Sequence, residues 1–286
     1  MSHMLQSSEL KASKNRIKFE LIKYKKHENE TWEYLYQTQR QNLTDIAHSK
    51  LLSYIDELNF PKNEIPQLHD VSKTLYNKSG WQILRVEDLI NATEFFGLLS
   101  DRIFPSTVYI RTSSELVLSR DPDIFHELFG HCPILLDKNN AKLFQKFGKL
   151  GIQLDELQQK FLQRLFWFSY ETGLIQEKDD LKIYGGSLMS SIEESRYAVE
   201  SNTVPRKEFN ILDVFRTPYR ADIVQGIYFI IDNFKQLYRI LEDPDHVKRS
   251  MEKAYNLGEF PPLFPLGEEF QKYINQNICK SLLEAS

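Results

Sequence analysis

The sequence predicts a mainly α-helical protein with a few short β-strands. Three observations lead to this prediction: apolar residues recur at helical spacing through several long runs, β-branched and aromatic runs are short, and strands do not alternate regularly with helices. No internal repeat or low-complexity block interrupts the pattern. With 286 residues, 41% of them hydrophobic, the chain is long enough to bury a sizeable core. We expect one large domain.

The N-terminal half supplies helices first and then two strands. Residues 1–15 are interpreted as a tag remnant and flexible lead-in, because the first four residues resemble the junction left by an expression vector. Apolar spacing over 28–58 predicts two helices with a break near 41–44, and a third helix over 70–78 is expected to end near Gly80. A helix over 91–101 lies between strands predicted at 81–86 and 108–111.

The C-terminal half is predicted to be almost entirely helical. Helices are expected over 141–149, 154–173, 188–200, 223–241 and 267–284. Glycines 185 and 186 separate the second helix from the third, and 205–215 is expected to be extended.

Composition excludes several classes of function. The formal net charge of −4 gives no electrostatic reason to expect nucleic acid as a partner. The chain has no apolar run of about 18 residues and no signal-peptide pattern at its start, so we expect a cytoplasmic protein that does not bind membranes. Two cysteines are too few for a disulfide framework or a cysteine-rich metal site. A metal would therefore need nitrogen and oxygen ligands, and the substrate is expected to be small.

The most informative motif is His126-Glu127-Leu128-Phe129-Gly130-His131. On an unbroken α-helix, five residues turn the side chain by about 500°, which leaves the two imidazoles roughly 140° apart and unable to share one ion. Glycine is typical just after a helix end, and Pro133 follows. We therefore predict that the helix ends at Gly130, in a left-handed conformation, and that His131 is redirected toward His126.

Glu171 is the candidate for a third ligand, because it lies in the most aromatic stretch of the chain, 166–173. Burying an unpaired carboxylate there costs several kcal/mol, which a divalent cation would offset. Two histidines and one carboxylate are typical of non-haem Fe(II) oxygenases. Spacing alone leaves Glu171 open, since a helix glutamate is commonly solvated. A metalloprotease with Glu127 as base is disfavoured, because that site needs histidines four apart on one helix.

Three motifs in order resemble the catalytic domain of the pterin-dependent aromatic amino acid hydroxylases. They are Asp-Pro-Asp-Ile-Phe-His-Glu-Leu-Phe-Gly-His-Cys-Pro from Asp121, Trp-Phe-Ser-Tyr-Glu-Thr-Gly-Leu from Trp167, and Tyr-Gly-Gly-Ser-Leu-Met-Ser-Ser from Tyr184. The likeness runs from about residue 81 to 226. It implies a helical-basket fold and a single catalytic domain over 16–286 without a separate regulatory domain. It also implies Fe(2+), held by the matching residues His126, His131 and Glu171.

The resemblance also implies roles for residues around the iron. Arg111 matches the residue that holds the substrate carboxylate, and Asp123 the residue that holds that arginine. Trp167 and Pro122 match the walls of the aromatic slot, with Ser119 and Ser190 hydrogen bonding around the amino acid head group. The matching pterin contacts are Phe95, which stacks on the ring, Glu127, and Leu89, Ile90 and Ala92. This last loop departs from the family pattern, since the family's usual Gly-Leu-Leu-Ser is missing from 88–95.

The implied function is an Fe(II)- and tetrahydropterin-dependent monooxygenase that converts L-phenylalanine to L-tyrosine with O2. The reduced pterin is tetrahydrobiopterin or a related pterin. Trp167 stands where tryptophan hydroxylases carry phenylalanine, and Leu212, on a loop, where tyrosine hydroxylases carry aspartate. The alternatives are hydroxylation of tyrosine or tryptophan, or a non-catalytic binding protein on the same scaffold. No effector site is expected, and a monomer or small homo-oligomer is predicted because the C-terminus lacks the heptads of a long coiled coil.

Overall fold

Helices dominate the part of the chain that the structure describes, which is residues 21–116 and 122–264 of a computed structural model. The mainly α fold class predicted from the sequence is confirmed. The predicted lead-in over 1–15 and the predicted helix over 267–284 lie outside the described residues, as does Ser119.

The elements are numbered here in chain order. The helices are α1 Lys26–Asn42, α2 Ser49–Leu58, α3 Leu68–Ser79, α4 Ala92–Ser100, α5 Cys132–Leu135, α6 Lys138–Gly151, α7 Glu156–Phe166, α8 Gly186–Ser190, α9 Ile192–Glu200, α10 Ile211–Arg216, α11 Phe234–Glu242 and α12 Pro244–Leu257. The strands are β1 Gln82–Arg85, β2 Ile103–Ser106, β3 Leu174–Glu177, β4 Asp180–Ile183, β5 Arg206–Glu208 and β6 Tyr228–Ile231. A 3₁₀ turn covers Ser113–Glu115, and two π-helical segments, π1 His126–His131 and π2 Trp167–Glu171, complete the set.

Most of the N-terminal prediction is confirmed. The break between α1 and α2 falls over residues 43–48, and α3 ends at Gly80, which is left-handed with φ 76°. The strand predicted over 108–111 is wrong, because the strand that pairs with β1 in parallel is β2. Pro105 disguises β2 in the sequence. It is tolerated there because β2 pairs only with β1 among the described strands, so no second ladder needs its missing N–H.

A four-stranded sheet accounts for most errors in the C-terminal half. Its order is β4-β3-β6-β5, with β3 antiparallel to β4 and parallel to β6, and β5 parallel to β6. The predicted helix over 223–241 is wrong, because residues 223–227 are a loop, residues 228–231 are β6, and only the last part is helical, as α11. A short apolar run cannot be assigned to helix or strand by periodicity alone. The predicted extended segment over 205–215 holds β5 but then becomes α10, while the β3–β4 hairpin and α12 were not predicted.

A single cluster of buried apolar side chains runs through these elements. On one side of π1 it contains a group of packed aromatic rings from α6, α7 and π2, including Phe144, Phe147, Phe166 and Tyr170. Close packing of this kind leaves the segments that carry the rings little room to shift. None of the helices in the described ranges is both long and apolar enough to cross a bilayer.

Candidate metal centre

The backbone between His126 and His131 is continuous π-helix, so the predicted helix end at Gly130 is wrong. Among the described glycines, only Gly80 and Gly258 have positive φ, and π1 runs directly into α5. Hydrogen bonds in a π-helix join residues five apart, so such residues lie one above the other. The π-helix therefore brings the two imidazoles to one face without any break in the chain.

The lack of a side chain at Gly130 instead allows π1 to lie close to α8. A Cβ atom at Gly130 would lie 2.5 Å from the carbonyl oxygen of Gly186, and a Cβ at Gly186 would lie 2.4 Å from Cε1 of His131. Real Cβ contacts are not this short. The two glycines thus allow the start of α8 to press directly against the second histidine of π1.

Glu171 reaches the same point from π2. Its register is also that of a π-helix, since the N–H of Thr172 donates to the carbonyl of Trp167, five residues earlier, at 2.8 Å. The Nε2 atoms of His126 and His131 are 3.0 Å apart. Carboxylate oxygens of Glu171 lie 3.2 Å from Nε2 of His131 and 3.7 Å from Nε2 of His126.

Protonation of the cluster is fixed by its neighbours. The hydroxyl of Ser190 donates to the carbonyl of Gly186 at 2.9 Å, so it is free to accept from Nδ1 of His126, 3.0 Å away. Nε2 of His126 then carries a lone pair, and burial together with the neighbouring His131 lowers the pKa of His126 to about 4. Burial opposes ionisation of Glu171, but His131, His126 and the Ser187 hydroxyl at 2.7 Å lower its pKa to about 2.

These donors fit a divalent cation. The three ligand atoms come from two separate segments, π1 and π2, and they all lie within 4.8 Å of one another. Two ligands bound at right angles with metal–nitrogen bonds of about 2.1 Å are themselves about 3 Å apart, which is the separation of the two Nε2 atoms. A set of two imidazoles and one carboxylate leaves coordination positions open for reactants.

A buried ion pair lies beside the histidines. The guanidinium of Arg111 donates to both carboxylate oxygens of Asp123, from Nε at 2.9 Å and from Nη2 at 2.8 Å. Asp123 also accepts the backbone N–H of Arg111 at 2.8 Å and that of His126 at 2.9 Å. Burial opposes ionisation of Asp123, but Arg111 brings its pKa below the ordinary value. One carboxylate therefore holds the arginine and the first histidine in a fixed relation.

Trp167 and Tyr219 form a stacked pair next to π2, with ring centroids 4.5 Å apart and planes inclined by 15°. The indole N–H of Trp167 donates to Oε1 of Gln225 at 3.1 Å. Burial raises the pKa of Tyr219, and the nearby carboxylate of Glu171 raises it further. Pro122 is half-buried, and its carbonyl accepts from the Tyr109 hydroxyl at 3.0 Å.

The residues predicted to contact a pterin follow one another at the start of α4. Leu89 is 66% exposed, whereas Ile90, Ala92 and Phe95 are half-buried. Phe95 packs edge-on against Phe166 with centroids 5.4 Å apart, and Phe166 lies 6.4 Å from the ring of His131. An aromatic path thus connects this loop with His131 of the candidate metal site.

Glu127 is half-buried on π1, and its pKa is raised well above the ordinary value by burial and by the carboxylates of Glu171 and Asp123. Burial and the two nearby carboxylates therefore oppose ionisation of this carboxyl group.

Four residues that the structure brings into the site were not among the predicted site residues. They are Ser187, Glu194, Tyr219 and Gln225. Ser187 had a detectable signal, since it follows the paired glycines of the third motif. Gln225 and Glu194 had none, because their contacts join segments about 30 or more residues apart.

Comparison with known proteins agrees with this geometry. Residues 7–260 match the family described as biopterin-dependent aromatic amino acid hydroxylase. The chain is 36% identical over 244 residues to a phenylalanine-4-hydroxylase of Pseudomonas aeruginosa, covering 85% of this chain and 92% of that one. It is also similar to two solved structures, each with a TM-score of 0.82 over 86% of this chain. They are the phenylalanine hydroxylases of Legionella pneumophila, 40% identical with 96% of that chain covered, and Colwellia psychrerythraea, 39% identical with 94% covered.

Proposed function

This chain belongs to the biopterin-dependent aromatic amino acid hydroxylase family, and from that membership we propose that it hydroxylates the ring of L-phenylalanine to give L-tyrosine. The reaction uses O2, Fe(2+) and a tetrahydropterin. The phenylalanine hydroxylases that cover most of the chain favour phenylalanine over tyrosine or tryptophan as the substrate. The aliphatic residue predicted on a loop, Leu212, adds no support, because it lies in helix α10.

His126, His131 and Glu171 are proposed as the iron ligands. Support comes from the convergence of their ligand atoms, which all lie within 4.8 Å of one another. Iron and a tetrahydropterin, when bound, would supply the activation of O2 and the two electrons that the reaction needs besides those taken from the substrate. Ser190 holds His126 in the tautomer that offers Nε2, and Ser187 orients Glu171.

Arg111 is proposed to bind the carboxylate of the amino acid. Asp123 occupies Nε and Nη2 of Arg111, so Nη1 is the nitrogen left to face a substrate. Nη1 lies 3.5 Å from the carbonyl oxygen of Ser190. Because Asp123 also accepts the N–H of His126, the carboxylate anchor and the metal ligand keep a constant separation. This shared anchor is the observation on which the proposal chiefly depends.

The remaining predicted residues complete the proposed site. Trp167 and Pro122 would enclose the substrate ring, and Ser119 and Ser190 would hydrogen bond around its head group. Phe95 would stack on the pterin, with Leu89, Ile90 and Ala92 beside it and Glu127 near its ring. The single catalytic domain over 16–286, the monomeric or small oligomeric state and the cytoplasmic location are part of the same proposal.

The test is ring hydroxylation by the purified protein. We expect L-tyrosine to form from L-phenylalanine when Fe(II), a tetrahydropterin and O2 are supplied, with slower or no product from tyrosine and tryptophan. His126→Ala should lower kcat by more than about 100-fold, because a first ligand matters at least as much as its supporting residues. His246→Ala, in the exposed part of α12, is the matched control and should behave like the parent. Absence of product from every amino acid, or full activity of His126→Ala, would contradict the proposal.

A further inference from the structure

Glu194 is a buried carboxylate that no part of the proposed reaction uses. It lies in the first turn of α9 and is 4% exposed. Its Oε1 atom accepts two hydrogen bonds at 2.8 Å, one from the backbone N–H of Gln225 and one from the hydroxyl of Tyr228. Buried acids are normally paired with a cation, but the two groups that donate to Glu194 are neutral, and burial raises its pKa to about 7. A carboxylate kept at such a position calls for an explanation.

Gln225 connects this carboxylate to the proposed substrate slot. Its backbone is held by Glu194, and its side-chain amide points the other way, accepting from the indole N–H of Trp167. The same amide donates to the carbonyls of Arg220 at 2.7 Å and Ile223 at 3.0 Å, which closes the loop over 220–225. Glu194 is thus two hydrogen bonds away from Trp167, and the loop that carries Tyr219 to the indole is tied at the same point.

We propose that Glu194 is a positioning residue for the aromatic slot, which fixes Gln225 and through it the place of Trp167 against Tyr219. The proposal rests on the proposed function, in which Trp167 encloses the substrate ring. Loss of the anchor lets the indole move and widens the slot, while the iron ligands keep their own supports from Ser190 and Ser187. Substrate affinity should therefore change more than the rate of the bound complex.

Four variants separate this role from a merely structural one. Glu194→Ala removes the oxygen that accepts both hydrogen bonds, whereas Glu194→Gln keeps an oxygen for both donors. Gln225→Met breaks the link to Trp167 but keeps the backbone N–H that Glu194 binds. Tyr228→Phe removes the other hydrogen bond to Glu194 but keeps the carboxylate that accepts the Gln225 N–H and the Gln225 amide that accepts from Trp167. Glu200→Gln, an exposed position on the same helix, is the control for a general effect of changing α9.

Two measurements are made on each variant. The first is KM and kcat for L-phenylalanine. The second is acrylamide quenching of the Trp167 emission. That emission is isolated by subtracting the spectrum of the same variant with Trp167→Phe added, and the other two tryptophans, Trp32 and Trp81, are fully buried. The fluorescence needs no catalysis, so a failed proposed function, with no product from the parent, is distinguishable from a failed role for Glu194.

We expect Glu194→Ala and Gln225→Met to raise KM about tenfold, to change kcat less than threefold and to at least double the quenching constant of Trp167. Glu194→Gln, Tyr228→Phe and Glu200→Gln should stay within threefold of the parent in KM. If Glu194→Ala does not fold, Gln225→Met and Tyr228→Phe still decide. Unchanged quenching in Gln225→Met, or an equal KM rise in Tyr228→Phe, overturns the proposal.

Discussion

Asp123 makes the strongest prediction about stability, because four donors converge on it. Its oxygens accept from Nε, Nη2 and the backbone N–H of Arg111 and from the backbone N–H of His126, all within 2.8–2.9 Å. The side chains of Arg111 and Asp123 are only 3% and 0% exposed, respectively. In Asp123→Asn one oxygen becomes an NH2 group, which must face donors whichever way the amide is turned. The change also leaves the Arg111 cation buried without a counter-charge.

Removing one partner of a buried ion pair costs about 3–5 kcal/mol. Since domains are stable by about 5–15 kcal/mol, Asp123→Asn should consume a large part of the total. At roughly 2–4 °C per kcal/mol for chains of this size, Tm should fall by about 10 °C. The assay is equilibrium urea unfolding followed by circular dichroism, together with a thermal scan.

The matched control is Asp56→Asn. Asp56 also pairs with an arginine, Arg40, at 2.6 Å, but its side chain is 61% exposed. An exposed pair contributes about 0–1 kcal/mol, so this variant should unfold like the parent. If Asp123→Asn loses no more stability than Asp56→Asn, the reasoning from burial and convergent donors is refuted.

Two further predictions concern a close contact and pH. Gly130→Ala should lose about 1–3 kcal/mol of stability and bind Fe(II) more weakly, because its Cβ would meet the Gly186 carbonyl. The control is Gly97→Ala, which has open space around it and should be neutral or stabilising. Equal losses of stability in the two variants would contradict the prediction. Folding raises the pKa of Glu194 from 4.5 to about 7. Between these values the folded parent holds a proton that the unfolded chain has lost, so its free energy of unfolding falls as the pH rises, by about 3 kcal/mol in all. Urea unfolding should therefore show Glu194→Gln gaining on the parent between pH 5 and pH 8, and a constant difference would contradict the shift.

The sequence predicts best where one residue type has one physical use. Gly80 ends a helix with positive φ, as a glycine after an apolar run predicts. The sequence predicts less well where the partner of a short segment decides its form. The run at 228–231 becomes a strand because β3 and β5 flank it, and neither neighbour is visible in local spacing.

The candidate site divides in the same way. His126, His131 and Glu171 were predicted together, and the structure brings their ligand atoms within 4.8 Å. The aromatic stretch around Glu171 made it a candidate, and the resemblance to the hydroxylases completed the ligand set. Gln225 and Glu194 carry no such signal, because a glutamine and a helix glutamate have many uses on a surface. Their relation to Trp167 exists only once β6 and α9 have packed.

The spacing of the two histidines admitted two solutions, and Gly130 and Pro133 are compatible with both. A spacing of five can be reconciled with one metal either by ending an α-helix or by inserting one residue into it as a π-turn. Pro133, which was interpreted as a stop, instead stands at the second position of α5, where the hydrogen-bond spacing changes from five back to four. A missing N–H disturbs a regular α-helix, but it does least harm where the register changes. A glycine that permits close contact and a proline at the change of register therefore indicate a π-turn as well as they indicate a helix end.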